Sequence, residues 1–114
     1  MDLLTQLNKH INQLAWFDGA ADYVSIADHN DFSFGSGSAD EPFSVSAWIF
    51  INDISSSFPV IAKYGSGSSR EWVMKVGAVS SADGKLAFLT FEEDPDAYIG
   101  RRYDTSLSSY VGQW

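Results

Sequence analysis

The strongest pattern in the chain lies at residues 42–51, PFSVSAWIFI, where Phe43, Val45, Ala47, Ile49 and Ile51 alternate with Ser44, Ser46, Trp48 and Phe50. A period of two puts the first set on one face of a strand. The second set passes from polar to aromatic, so the pattern predicts a strand that starts at a solvated edge and ends covered on both faces. Pro42 has no N–H to give to a ladder and marks the first position of that strand. Alternation recurs on either side. Residues 15–26 hold two short apolar runs separated by Asp18 and Gly19, which predicts strand, tight turn and strand, with Gly19 at positive φ and Asp18 capping the turn's own backbone. Residues 58–64 predict a strand that Pro59 confines to a sheet edge or a strand start. Trp72, Met74 and Val76 alternate with Glu71, Val73 and Lys75 in a half-buried strand. Asp83 and Gly84 close the next hairpin, and Leu86, Phe88 and Thr90 oppose Ala87, Leu89 and Phe91 on its return. A strand over 98–103, a polar connection over 104–109 and the opening of another strand at 110–114 complete the series.

Between these runs the chain turns polar. Residues 27–41 are rich in Asp, Ser, Gly and Asn and read as a long connection held down by Phe32 and Phe34. Residues 52–57, 65–69 and 92–96 read as loops, the last of them acidic. The first residues have another period. Leu4, Leu7, Ile11 and Leu14, spaced three, four and three, predict a helix over 2–13 with Asp2 at its cap. The same spacing is an a/d seam, but it is shorter than the three or four heptads that mark a coiled coil, so a helix or arm lying on the sheet or on a neighbour is expected. The division is therefore an N-terminal helix or arm over 1–14 and an all-β unit over 15–114. About seven short strands with turn chemistry between them are the pattern of an antiparallel β-sandwich.

Four of these segments, FDGAADYVSI at 17–26, FSVSAWI at 43–49, PVIAKY at 59–64 and GKLAF at 84–88, resemble in order and spacing the laminin-G-like branch of the concanavalin-A-like lectin and glucanase superfamily. The resemblance covers residues 16–114. It implies a jelly-roll sandwich and a role as a carbohydrate-binding, adhesive or spacer module at an extracellular or virion surface. Gly112, Gln113 and Trp114 resemble the start of a central strand that in the family runs on into a His-containing segment and further strands, and here the chain stops. The sandwich is expected to be unfinished and to be completed by another copy or a larger assembly, because open strand edges and apolar faces seek partners. Leu4, Leu7, Ile11, Leu14 and Trp114 are the residues assigned to that self-association.

Composition narrows the classes. The 114 residues suit one domain able to bury its own core. No apolar run approaches the roughly 20 residues of a membrane span, and residues 1–14 lack the layout of a signal peptide. A net charge of −8 opposes a nucleic-acid partner, which would call for clustered Lys and Arg. With no cysteine there is no disulfide, thiolate metal site or cysteine nucleophile.

Enzymatic chemistry finds no support in the residue pattern. Superfamily glucanases carry Glu-x-Asp-x-x-Glu on a strand, which sets nucleophile and acid/base together. Glu92, Glu93, Asp94 and Asp96 lack the final Glu, sit beside Pro95 and read as a solvated loop. The Gly-Ser stretches match neither a nucleophile elbow nor a P-loop, and His10 and His29 have no spaced partners for zinc. Calcium is the one metal the residues support. Asp18, Asp22, Asp28, Asn30 and Asp31 supply hard oxygens in an acidic stretch without Lys or Arg. The same side chains also suit turn capping and solvation. Arg101 and Arg102 come after the acidic loop and are expected to pair with it. Trp16, Trp48 and Trp72 fall at core positions of their strands, whereas Tyr64, Tyr98, Tyr103 and Tyr110 lie near loops, where an exposed ring can stack on a pyranose or simply pack at a sheet rim. Two functions emerge: a non-catalytic module that binds carbohydrate or a protein surface through sandwich loops, or a structural coat, decoration or fibre component.

Overall fold

The computed structural model describes residues 14–35, 41–65, 70–77, 82–91 and 97–114. The helix expected over 2–13, with Leu4, Leu7 and Ile11, and the acidic loop 92–96 lie outside the described residues. Regular structure among the described residues is mostly β: β1 (Phe58–Tyr64), β2 (Arg70–Val76), β3 (Lys85–Phe91) and β4 (Tyr98–Ser106). They form one antiparallel sheet in the order β1-β2-β3-β4, each strand pairing with its neighbour in sequence. No described helix is long and apolar enough to cross a membrane.

Turn chemistry and alternation explain this half of the chain. At the β2–β3 hairpin Gly84 adopts φ +65°, and the Asp83 carboxylate accepts the Lys85 N–H at 3.2 Å. A side chain on Gly84 would come within 2.7 Å of Ile54 Cδ1, so both the turn and the packing exclude one. The register pairs Trp72 with Thr90, Met74 with Phe88 and Val76 with Leu86 on one face, and Val73 with Leu89 and Lys75 with Ala87 on the other. Trp72, Val73, Val76, Ala87 and Leu89 are buried. Among the described residues β1 is an edge strand, one of the two placements expected from Pro59. It pairs Lys63 with Trp72 but Tyr64 with Arg70, which leaves Glu71 as an extra residue in β2. Such a bulge resets the alternation.

The face of Trp72 and Phe88 carries the main core. Phe34 stacks on Phe43 with centroids 4.0 Å apart, and Phe43 lies 5.8 Å from Trp72 and 5.7 Å from Phe88. The Trp72 indole N–H donates to the Phe32 carbonyl at 3.0 Å, beside a 3₁₀ turn over Asn30–Phe32. Phe34 by its ring and Phe32 by its backbone thus hold the 27–41 connection to the sheet.

Three segments expected to be extended form no ladder among the described residues. Residues 42–51 instead cross over the sheet's face, where Phe43, Val45 and Ile49 are partly covered and Ile51 is buried. The alternation chooses the inward face correctly. Coverage of the second face would need another layer; none is present among the described residues, and Trp48 is 87% exposed. In residues 15–26 the turn forms as expected: Gly19 has φ +81°, and the Asp18 carboxylate accepts the N–H of Ala20 at 2.8 Å. Its flanks pair with no described strand, and Trp16 is exposed, so of the three tryptophans assigned to the core only Trp72 lies in it. Residues 110–114 also form no strand. A 3₁₀ turn over Leu107–Tyr110 is capped by the Ser106 hydroxyl, and the Gly112 N–H donates to the Ile51 carbonyl at 2.9 Å. β4 in turn runs on to Ser106, past the expected end at 103, because Ser106, counted in the polar connection, still pairs with Lys85.

Residues 45–51, the sheet and the C-terminal turn enclose an apolar groove of about 410 Å³, lined in part by Val45, Ala47, Ile49, Met74, Leu86 and Trp114.

Candidate functional site

The bulge at Glu71 builds the most distinctive surface. It turns Arg70 to the same face as Tyr64, its register partner, and the hairpin register brings Phe91 opposite Tyr98. Tyr64 and Phe91 meet edge to face at 5.2 Å, and Phe91 and Tyr98 lie 5.9 Å apart. The Arg70 guanidinium sits 5.3 Å over the Tyr64 ring. Three rings from β1, β3 and β4 therefore make a row across one end of the sheet, with Phe91 half-buried between Tyr64 and Tyr98, which are 50% and 49% exposed. Each outer ring is therefore about half exposed, and Tyr64 lies beneath a guanidinium that donates but cannot accept.

The other two tyrosines are elsewhere. Tyr103 lies farther along β4, where the register with β3 shifts, and Tyr110 lines the apolar groove. Of this row the sequence pattern singled out Tyr64 and Tyr98 but not Phe91 or Arg70. The hairpin at Gly84 fixes the face of Phe91, so that residue was within reach of the pattern; Arg70 was not, because no sequence signal marked the bulge.

The acidic residues considered for calcium are engaged separately. Asp22 accepts the Asp18 N–H at 3.1 Å within the turn, Asp28 pairs with Lys63 at 3.2 Å, and Asp31 lies 3.4 Å from the His29 imidazole, whose Nδ1 caps the 3₁₀ turn that includes Asn30. Among the described residues no three His, Cys, Asp or Glu side chains converge in a way that could hold a metal ion.

Lys63 is the electrostatic centre of the opposite face. Its ammonium meets Glu71 at 2.5 Å, Asp28, and the Ser33 hydroxyl, and the Ser33 hydroxyl in turn donates to Glu71 at 3.2 Å. The Glu71 carboxylate, chiefly, holds the Lys63 pKa above its ordinary value of 10.5 against the opposing effect of burial. β4 carries Arg102 beside the β2–β3 hairpin, where it pairs with Asp83, and Arg101 donates to the Gly100 carbonyl at 3.1 Å; the acidic loop with which both were expected to pair lies outside the described residues. Of the self-association residues within the described chain, Leu14 is exposed and Trp114 packs 5.5 Å from Phe50. Comparison with family models, curated proteins and solved structures finds no match to this chain.

Proposed function

We propose that the protein is a non-catalytic recognition module that binds carbohydrate on the row formed by Tyr64, Phe91 and Tyr98. The observation that carries this reading is the row itself: contiguous rings whose outer members are half exposed, beside the Arg70 cation. Stacking of a pyranose on such rings joins apolar contact to hydrogen bonding at the rim. The resemblance to laminin-G-like modules supports the same reading, and with it a sandwich architecture and an extracellular or virion-surface setting. Calcium has no place in this proposal, since the row contains no carboxylate.

The test is a glycan array followed by an NMR titration of the best-retained sugar. Chemical-shift changes are expected to cluster at Tyr64, Arg70, Phe91 and Tyr98, with Tyr98→Ala weakening binding about tenfold. Retention of no glycan, or binding unaffected by both Tyr64→Ala and Tyr98→Ala, would overturn the proposal.

A further inference from the structure

Two Asp-Gly pairs occur in the sequence, Asp18–Gly19 and Asp83–Gly84, and the structure builds the same local turn on both. Each glycine has positive φ, +81° and +65°, and each carboxylate accepts the N–H two residues on, from Ala20 at 2.8 Å and from Lys85 at 3.2 Å. That hydrogen bond folds Cγ of the aspartate back toward the glycine nitrogen. Beyond it the two sites part. The Asp83 carboxylate also pairs with Arg102, and Gly84 is buried, its carbonyl accepting the Leu107 N–H at 2.8 Å. A Cβ added to Gly84 would meet Ile54 Cδ1 at 2.7 Å and Ser106 Oγ at 2.8 Å, whereas one on Gly19 would meet nothing within 4 Å. Asp18 and Gly19 are exposed; Oδ1 of Asp18 also accepts from the Ala21 N–H at 3.4 Å, and Oδ2 has no partner among the described residues.

We propose that Asp18–Gly19 is a site of spontaneous covalent modification, where the chain rearranges through a cyclic imide to isoaspartate, and that the fold protects Asp83–Gly84 from the same reaction. The inference is independent of carbohydrate recognition. The reaction uses water alone and transfers no electrons. The Gly19 amide nitrogen gives up its proton and bonds to Cγ of Asp18, and the protonated carboxyl group loses one oxygen as water. Water then adds to either carbonyl of the imide: breaking the bond from nitrogen to Cγ restores aspartate, and breaking the bond from nitrogen to the main-chain carbon gives isoaspartate. Glycine permits the closure because it has no Cβ to obstruct the approach of its nitrogen. The remaining aspartates of the sequence all precede residues with a Cβ. At Asp83 the closure would break the pair with Arg102 and move a packed glycine whose flanking strands are paired. At Asp18 it breaks only exposed hydrogen bonds within the turn, whose flanks join no described ladder. In isoaspartate the former side-chain carbonyl belongs to the main chain, so the cap on Ala20 is lost.

Incubation of the full chain at neutral pH in water enriched in heavy oxygen tests the proposal, because each passage through the imide leaves one heavy oxygen at that aspartate whichever product forms. Peptides spanning the two sites are then separated and weighed by mass spectrometry. Local opening of a paired hairpin is rarer than that of an exposed turn, so label is expected at Asp18 at least about tenfold faster than at Asp83, with an isoaspartyl form of the peptide accumulating beside it. In urea, where both turns are melted, the two sites should label at similar rates, which assigns the difference to the fold and not to the flanking sequence. Equal labelling of the two sites in the native chain, or absence of label from Asp18, would overturn the proposal. So would a preference for Asp18 that persists unchanged in urea.

Discussion

The two halves of this chain carry similar alternation and fold differently. Across residues 58–106 each run of alternating residues finds a hydrogen-bonded partner, and the result is a four-stranded sheet with a buried centre at Val73, Val76, Ala87 and Leu89. Across residues 14–51 the alternation is as clear, yet no strand forms in the described stretches and Trp16, Tyr23 and Trp48 face solvent. For residues 42–51 the difference lies in the segment that comes after the run. In the sheet half the hairpin at Gly84 brings the next run into antiparallel register within a few residues, whereas 42–51 leads into a loop and then a strand that pairs elsewhere. A period of two selects a face; a ladder also needs a neighbour in register.

The sharpest way to break this comparison is to truncate one tryptophan in each half. Trp72→Ala removes a ring packed against Phe43 and Phe88 and is expected to cost about 3–5 kcal/mol in urea unfolding. Trp48→Ala should change stability by no more than about 0.5 kcal/mol. Equal losses would mean that Trp48 is covered by a second layer.

Next in size is the polar knot that ties the two halves together. Lys63→Met removes the partner of Glu71, Asp28 and Ser33 and should cost about 1–2 kcal/mol, at the lower end because Asp28 is well solvated. The same contacts predict a pH dependence. Because Lys63 binds its proton more tightly in the folded chain, its contribution is complete below the unfolded value of 10.5 and is lost as pH rises through the higher folded value. The melting temperature of the unaltered chain should therefore fall more steeply above pH 10.5 than that of Lys63→Met.

Gly84→Ala should cost about 1–2 kcal/mol, since it forces a left-handed residue to carry a methyl group against Ile54. The smallest effect belongs to Asp18→Ala. It removes a turn cap whose flanks pair with no described strand, so the change should stay within about 0.5 kcal/mol. The two turns have the same Asp-Gly chemistry, and the contrast between them would show that a turn stabilises a fold only where it closes a ladder.

The sequence was most legible where local chemistry and tertiary pairing agree. The strand at 58–64, its edge position through Pro59, the hairpin at Asp83 and Gly84 and the two faces of β3 all appear as the pattern predicts. The Asp18–Gly19 turn was equally legible, because Asx capping and positive φ are local. Pairing between distant segments was not, and it decides that 42–51 crosses a face while 98–106 extends a sheet. The candidate site shows the same division. Tyr64 and Tyr98 stand out as rings near loops, but their convergence depends on a bulge at Glu71 that no residue pattern announces.

Residue-resolved hydrogen exchange on dilute protein tests the central contrast most directly, because protection tracks paired backbone and not side-chain pattern. Strong protection is expected at Val73, Val76, Ala87 and Leu89, with rapid exchange through residues 43–50. Protection of 43–50 equal to that of β2 and β3 would contradict the contrast and would place these residues in a second sheet.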